Sequence, residues 1–400
     1  MKKNILIFSH ALEIGGAERA LIGLLETIDT EKNDVDLFLM RHSGELMKYI
    51  PEYIHLLPES PQYTCLAVPF TTVIKKRQFG MAVGRILGKV AAKWRIKKLR
   101  LSSDNDVELQ CSHKYTLPFV PQISDKEYDL AISFLTPHYF IADRVKAKTK
   151  LAWIHTDYTV VSVDRKEQLK MWSNYDGIVS ISENVTKTFL KIFPELRHNI
   201  LLIPNIMPLK YMCDLAKEFD SVTEMPNDGS IKLLSIGRFS SQKNFENVPE
   251  ICKLLREKGI NAKWYLIGFG ATEDLIRQKI AETKMQDYVI ILGKKENPYP
   301  YITGCDIYVQ PSRYEGKCVA VTEAQILHKP VVITAYPTSS SQLKDGYDGV
   351  IVPMDNNGCA LGISKVIQNK KLQEALIENT YKEDYSNTAG IVKLYQLMEE

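Results

Sequence analysis

Short, unalternated apolar runs recur along the chain at 4–9, 35–40, 129–135, 151–155, 177–182 and 200–205, and again at 231–237, 262–268, 289–293, 307–312, 330–334 and 349–352. Segments of helical length separate them. Runs of this kind are what a parallel sheet covered by helices on both faces requires. Two series predict two α/β sheets. Between them, the stretch 204–230 carries Pro204, Pro208 and Pro226 and ends in Asn227-Asp228-Gly229, a turn signal. The expected seam lies there, with a first domain over 1–206 and a second over 207–381.

The chain is 400 residues long, 45% hydrophobic and 25% charged, enough for two domains with separate cores. Its seven cysteines form no C-x-x-C pair, so neither a disulfide framework nor a zinc site is expected. No apolar run reaches the roughly 18 residues of a membrane span, and the expected location is the cytoplasm.

Charge changes the picture in one place. The window 62–103 contains no Asp or Glu but ten Lys and Arg, more than the whole net charge of +3. Placed on a helix, Val83, Leu87, Val90, Trp94 and Leu101 share a stripe, and Arg85, Lys89, Lys93 and Arg100 flank it. With Lys97, these cations form an expected membrane-binding set for an anionic surface. The alternative is an ordinary basic surface helix whose apolar stripe packs on the domain core. The absence of acids favours the membrane, because a solvated helix normally mixes signs.

Three segments carry candidate chemistry. Gly15-Gly16-Ala17-Glu18-Arg19 follows the first strand and opens a helix, where paired glycines admit a ligand and unpaired N–H groups suit phosphate. An ordinary strand-to-helix turn would use glycine as well. In the second series, Arg238 and Lys243 follow a strand end, where parallel sheets bind ligands. A guanidinium and an ammonium can neutralise a diphosphate there, or simply be solvated. The richest segment is 308–324. It delivers Glu315 and Gly316 into a loop, passes Lys317 and Cys318, and starts a helix near Val319 with Glu323 on an early turn.

Together these residues resemble the family-4 retaining glycosyltransferases of GT-B fold. The resemblance rests on GGAER at 15–19, WIHTD at 153–157, IPN at 203–205, GRFSSQKN at 237–244, the glycine loop after Leu266-Ile267, and the Glu315-x7-Glu323 pair. It implies an α/β protein of two Rossmann-like domains facing a central cleft, with 382–400 crossing back onto the first domain. It further implies that Arg238 and Lys243 hold the donor diphosphate, Glu323 the ribose and Glu315 the sugar near its anomeric carbon. Gly15, Gly16, Gly316, Lys317, Cys318 and Val319 would complete the donor site, and His155 would line the cleft. Read without the resemblance, His155 is a histidine satisfied at the end of a buried strand. Lys317-Cys318 departs from the aromatic or glycine followed by a small residue usual in the family, and Asn244 stands where glycine is frequent. The first departure leaves the donor sugar open.

The acids at 34–36 and 104–106 spell D-x-D, but neither pair follows an apolar strand as a metal site of that type would. No metal and no bound cofactor are expected, the nucleotide-sugar being a co-substrate. Gly268-Phe269-Gly270 is followed by Glu273 where a dinucleotide fingerprint needs glycine, which disfavours an NAD oxidoreductase. The expected function is transfer of a hexose, with UDP the favoured nucleotide, to a glycan acceptor, lipid-linked, in surface polysaccharide assembly. The expected place is the inner membrane face, and no nucleic acid is involved. A sugar-nucleotide epimerase or hydrolase of the same fold, and a non-catalytic nucleotide-sugar-binding scaffold, are the alternatives.

Overall fold

The computed structural model describes residues 2–101, 105–156, 158, 161–207 and 209–399. Asp104 and Asp157, each part of a motif above, lie outside the described residues. The chain divides into two units, Met1–Ile206 with Thr388–Glu400, and Met207–Asn387.

The first unit is built on a seven-stranded sheet: β1 (Lys3–Ser9), β2 (Asn33–Leu39), β3 (His55–Leu56), β4 (Glu127–Ser133), β5 (Lys146–Ile154), β6 (Gly177–Ser180) and β7 (Ile200–Leu202). Their order is β3-β2-β1-β4-β5-β6-β7, and every pairing is parallel. The order reverses between β1 and β4. The second unit holds β8 (Ile231–Ile236), β9 (Ala262–Ile267), β10 (Val289–Gly293), β11 (Ile307–Gln310), β12 (Val331–Thr334) and β13 (Val350–Val352), all parallel. They are ordered β10-β9-β8-β11-β12-β13, so this sheet reverses between β8 and β11. All twelve apolar runs are strands. The one they missed, β3, is a two-residue edge strand too short to carry a pattern.

Burial explains why the runs do not alternate. In the second unit Leu233, Trp264, Leu266, Val309 and Val332 pack in one core cluster, while Leu234, Tyr265, Ile267, Tyr308 and Ile333 pack in another. Successive side chains point to opposite faces, and both faces are covered.

The helices that bear on function are α1 (Gly16–Thr27), α2 (Phe79–Leu99), α3 (Val107–Thr116), α4 (Val319–Ile326) and α5 (Ile391–Leu397). Helix α5 packs Ile391 and Leu394 into the first core. The Tyr395 hydroxyl there accepts the Asp29 N–H at 2.8 Å, and Lys393 donates to the Leu202 carbonyl at 2.7 Å. Residues 382–387, expected to belong to the returning tail, stay with the second unit. They are tied there by the Tyr385 hydroxyl to Asp348 at 2.9 Å and by the Met207 N–H to the Ser386 carbonyl at 2.7 Å.

Helix α2 realises the basic insert, but not quite as its periodicity predicted. Its packed face is made of small residues, with Gly84, Gly88 and Ala92 buried. A Cβ on Gly84 would stand 2.7 Å from the Tyr115 carbonyl oxygen, and one on Gly88 2.8 Å from that of Cys111, so α3 lies directly against the α2 backbone. The large apolar residues are left outside: Val83, Leu87, Val90 and Trp94 are 49–63% exposed, as is Ile86. Leu101 is not on this stripe, because it follows the helix end and packs with Val107 and Cys111. Arg85 turns inward and donates to the Cys65 and Val68 carbonyls, both at 2.7 Å. Lys89, Lys93, Lys97 and Arg100 are exposed. Among the described residues no helix is long and apolar enough to cross a membrane.

Candidate functional site

In the second unit, the loops after β8 and β11 meet where the strand order reverses, the crevice in which parallel α/β sheets bind ligands. The loop after β8 runs Gly237-Arg238-Phe239 and returns through Lys243, with Asn244 in the left-handed region at φ 61°. Asn244 thus supplies the conformation for which glycine is frequent, and its side-chain amide donates to the Pro311 carbonyl at 3.0 Å. Gly268, at φ 149°, lets the loop after β9 press on this one: a Cβ there would fall 1.9 Å from the Gly237 carbonyl oxygen.

Lys243 and Glu315 form the centre. The ammonium lies 2.6 Å from Glu315 Oε1, with both side chains largely buried. The Ser312 hydroxyl donates to the same oxygen at 2.6 Å, and Gln242 donates to Oε2 at 3.1 Å. Behind Ser312 a chain of hydrogen bonds runs through Gln310 to the Tyr308 hydroxyl, at 2.9 and 2.8 Å. The carboxylate is thus oriented by three donors. Burial opposes the charge of Lys243, but Cys318 and Glu315 outweigh it and hold its pKa above the usual lysine range. The Cys318 thiol, 3.7 Å from that ammonium, is pushed up to about 11 by burial and is a packed thiol rather than a nucleophile.

The remaining candidates take graded positions around this pair. Arg238 is exposed, and among the described residues its guanidinium has no hydrogen bond or ion pair. Lys317 is half-buried, and burial lowers its pKa. Gly316 turns the loop without a positive φ. The Cys318 N–H, just before Val319 opens α4, donates to Gln342 at 2.7 Å, and the Thr338 hydroxyl holds the Glu315 carbonyl at 2.7 Å. Glu323 is fully buried on α4, and its Oε1 accepts the Tyr299 hydroxyl at 3.1 Å. A ribose contact requires it to exchange or share that partner. Ser312, Gln242 and Gln342 were not singled out from the sequence. Only the spacing of Ser312, three residues before Glu315, offered a signal.

In the first unit, Gly15 caps α1 in extended conformation, and Gly16 begins the helix. A Cβ on Gly15 would meet Glu18 Oε2 at 2.1 Å, so the space that the glycine leaves is taken by a carboxylate folded over the helix N-terminus. His155 follows β5 and packs its ring 4.7 Å from that of Phe134. Burial lowers its pKa to about 4, and its Nε2 has no partner among the described residues. Of the D-x-D acids, Asp36 is tied to the Tyr128 hydroxyl at 2.7 Å and to His55 at 2.8 Å, and Asp106 to Gln110 and Gln168, as structural groups are.

Residues 216–383 match the family described as Glycosyl transferases group 1. A Campylobacter jejuni protein named N-acetylgalactosamine-N,N'-diacetylbacillosaminyl-diphospho-undecaprenol 4-alpha-N-acetylgalactosaminyltransferase is 27% identical, over 36% of this chain and 39% of its own length. The Staphylococcus aureus capsular polysaccharide biosynthesis glycosyltransferase CapM is 26% identical, over 43% of this chain and 46% of its own. These matches span less than half the length of either relative. The crystal structure of Anabaena Alr3699/HepE in complex with UDP and glucose superposes with a TM-score of 0.68 at 14% identity, covering 98% of this chain and 99% of that one. The chain accordingly has the GT-B fold, and its residues 216–383 are similar to the group 1 glycosyl transferases.

Proposed function

We propose that this protein is a retaining glycosyltransferase that moves a hexose from a UDP-sugar to a lipid-linked glycan in surface polysaccharide assembly, working on the inner face of the cell membrane. The observation that carries this reading is the buried Lys243–Glu315 pair, 2.6 Å apart, at the switch point of the second sheet, with the exposed Arg238, whose guanidinium has no partner among the described residues, on the same loop as Lys243. Arg238 grips the diphosphate by its fork, Lys243 adds a point charge, and the N-terminus of α4 contributes its dipole. These groups stabilise the charge that develops on the leaving UDP, without a metal. Glu315, fixed by Ser312 and Gln242, is held to orient sugar hydroxyls beside the anomeric carbon. Glu323 serves the ribose, and His155 the acceptor side. The names of the Campylobacter and Staphylococcus relatives, and the UDP in the Anabaena complex, support the substrate classes.

The exposed stripe of α2, Val83, Leu87, Val90 and Trp94, with Lys89, Lys93, Lys97 and Arg100, supports attachment to an anionic bilayer. Vesicle co-flotation is expected to require anionic lipid and to weaken with salt.

The test of the reaction is the product's anomeric proton coupling, read by NMR from an α-linked UDP-sugar in the presence of EDTA. An α-linked product is expected. A β-linkage, or activity only after Mn2+ is added, would refute the retaining, metal-independent reading.

A further inference from the structure

A groove lies along the last strand of the first sheet. β7 ends the strand order, so among the described residues one of its edges has no neighbouring strand. The helix Glu183–Ile192 leads from β6 to β7 and packs beside it. Between helix and strand is a cavity of about 470 Å3. Its helical wall is a single stripe at 183, 186, 187, 190 and 191. The other side of the helix, with Val185, Thr188 and Phe189, is buried. The groove is therefore an outer flank of the unit and not a defect of its core.

Length selects an extended ligand. From Glu183 to Lys191 the helix rises about 12 Å, at 1.5 Å per residue. A strand covers that distance in about four residues, at roughly 3.3 Å each, and β7 itself has three.

The rim selects its charge. Lys187, Lys191 and Arg197 are exposed there, and among the described residues their side chains have no hydrogen bond or ion pair. Glu195, two residues before Arg197, is committed to Arg165. Glu183, at the far end of the stripe, is the one acid of the lining. The floor is apolar: Leu190, Ile200 and Leu202, all half-buried. Within it Thr186 Oγ1 is buried without a partner among the described residues, a hydroxyl that an incoming polar group would satisfy.

The strand edge decides the class of ligand. The Leu202 carbonyl accepts Lys393 Nζ at 2.7 Å, so it is open to a donor from outside the sheet. A hydrocarbon chain laid along this edge would leave backbone groups without bonds, whereas a peptide strand supplies them. A free phosphate would meet the cations but leave the floor uncovered.

We infer that the groove docks an extended acidic segment of a partner protein, added to β7 as a further strand. An apolar side chain rests on Leu190, Ile200 and Leu202, and carboxylates at alternate positions on either side of it reach Lys187, Lys191 and Arg197. Lys393 yields the Leu202 carbonyl to the incoming N–H. This docking is independent of the donor and acceptor proposed above.

The experiment is methyl NMR of the full chain, labelled at Ile and Leu and titrated with acetyl-Thr-Glu-Thr-Val-Thr-Glu-Thr-amide. Two controls are the same peptide with Gln for Glu, and with its central Thr-Val-Thr N-methylated, which keeps the charge but blocks strand pairing. Dihexanoyl phosphatidylglycerol below its micelle concentration is the lipid counterpart. The acidic peptide is expected to shift the Leu190, Ile200 and Leu202 methyls, and both controls to bind at least fivefold more weakly. The double variant Lys187→Gln, Lys191→Gln is expected to weaken the acidic peptide at least fivefold with an unchanged Tm, and Arg197→Gln is the second variant should the double one lose stability. No shift of these methyls by the acidic peptide, equal binding of either control, undiminished binding in the variants, or shifts produced by the lipid and not by the peptide would overturn the inference.

Discussion

The two units build their crevices at the same place in the fold and fill them with different residues. In the second, between β8 and β11, ionised groups are paired: Lys243 with Glu315, and Glu315 with Ser312 and Gln242. In the first, between β1 and β4, the imidazoles of His10 and His113 have ring nitrogens without a partner among the described residues, beside the Arg41–Glu13 ion pair. Seven of the eight histidines lie in the first unit, and four of them, His10, His113, His138 and His155, have pKa values lowered mainly by burial. The switch point thus fixes where a ligand goes, and the loop residues fix what kind. A crevice with a buried ion pair suits a group whose charge grows during reaction.

The largest effect should come from breaking the charged side. Lys243→Ala is expected to lower kcat/KM by about a hundredfold or more, the usual cost of losing one preorganised charge-stabilising donor. Steady-state kinetics with an unchanged circular dichroism spectrum checks this, and near-normal turnover would detach Lys243 from the chemistry.

Acid should separate the two units next. A histidine whose folded pKa is about 4 against 6.5 unfolded favours the folded state only while neutral. Its contribution is complete above pH 6.5 and is lost as pH falls toward 4. His10 and His155 then weaken the first unit by on the order of 1–3 kcal/mol each. The second unit has His328 alone. Pulse proteolysis in urea, with fragments assigned by mass, should show the first unit losing stability across that window faster than the second. Parallel losses would contradict the comparison.

A smaller effect lies on α2. Gly88→Val places atoms against the Cys111 carbonyl, 2.8 Å from the added Cβ, and is expected to cost about 1–3 kcal/mol, read as a lower Tm. Trp94→Ser, on the outward stripe, should change stability by no more than about 0.5 kcal/mol while reducing vesicle binding. A large stability loss from Trp94→Ser would mean that the stripe is packed after all.

How much of this the sequence discloses follows from what each signal measures. Buried parallel strands are long apolar runs, so twelve of the thirteen were legible, and the cations after β8 were legible by their place after a strand. Helical periodicity placed Val83, Leu87, Val90 and Trp94 on one face but did not say which face packs. Gly84 and Gly88 carry no apolar signal, yet their missing side chains are what bring α3 against α2. His10 and His113 are remote in sequence and meet only because β1 ends where α3 crosses. Glu323 was legible as a motif residue, whereas its burial against Tyr299 depends on a helix start 24 residues away.

The central claim is that the second unit's crevice receives a nucleoside diphosphate on Arg238 and Lys243. Calorimetric titration of UDP into the full chain, with EDTA present, tests it most directly. Saturable binding that weakens at least tenfold in Arg238→Ala and in Lys243→Ala is predicted; UDP affinity unchanged in both variants, or absent until a divalent metal is added, would contradict it.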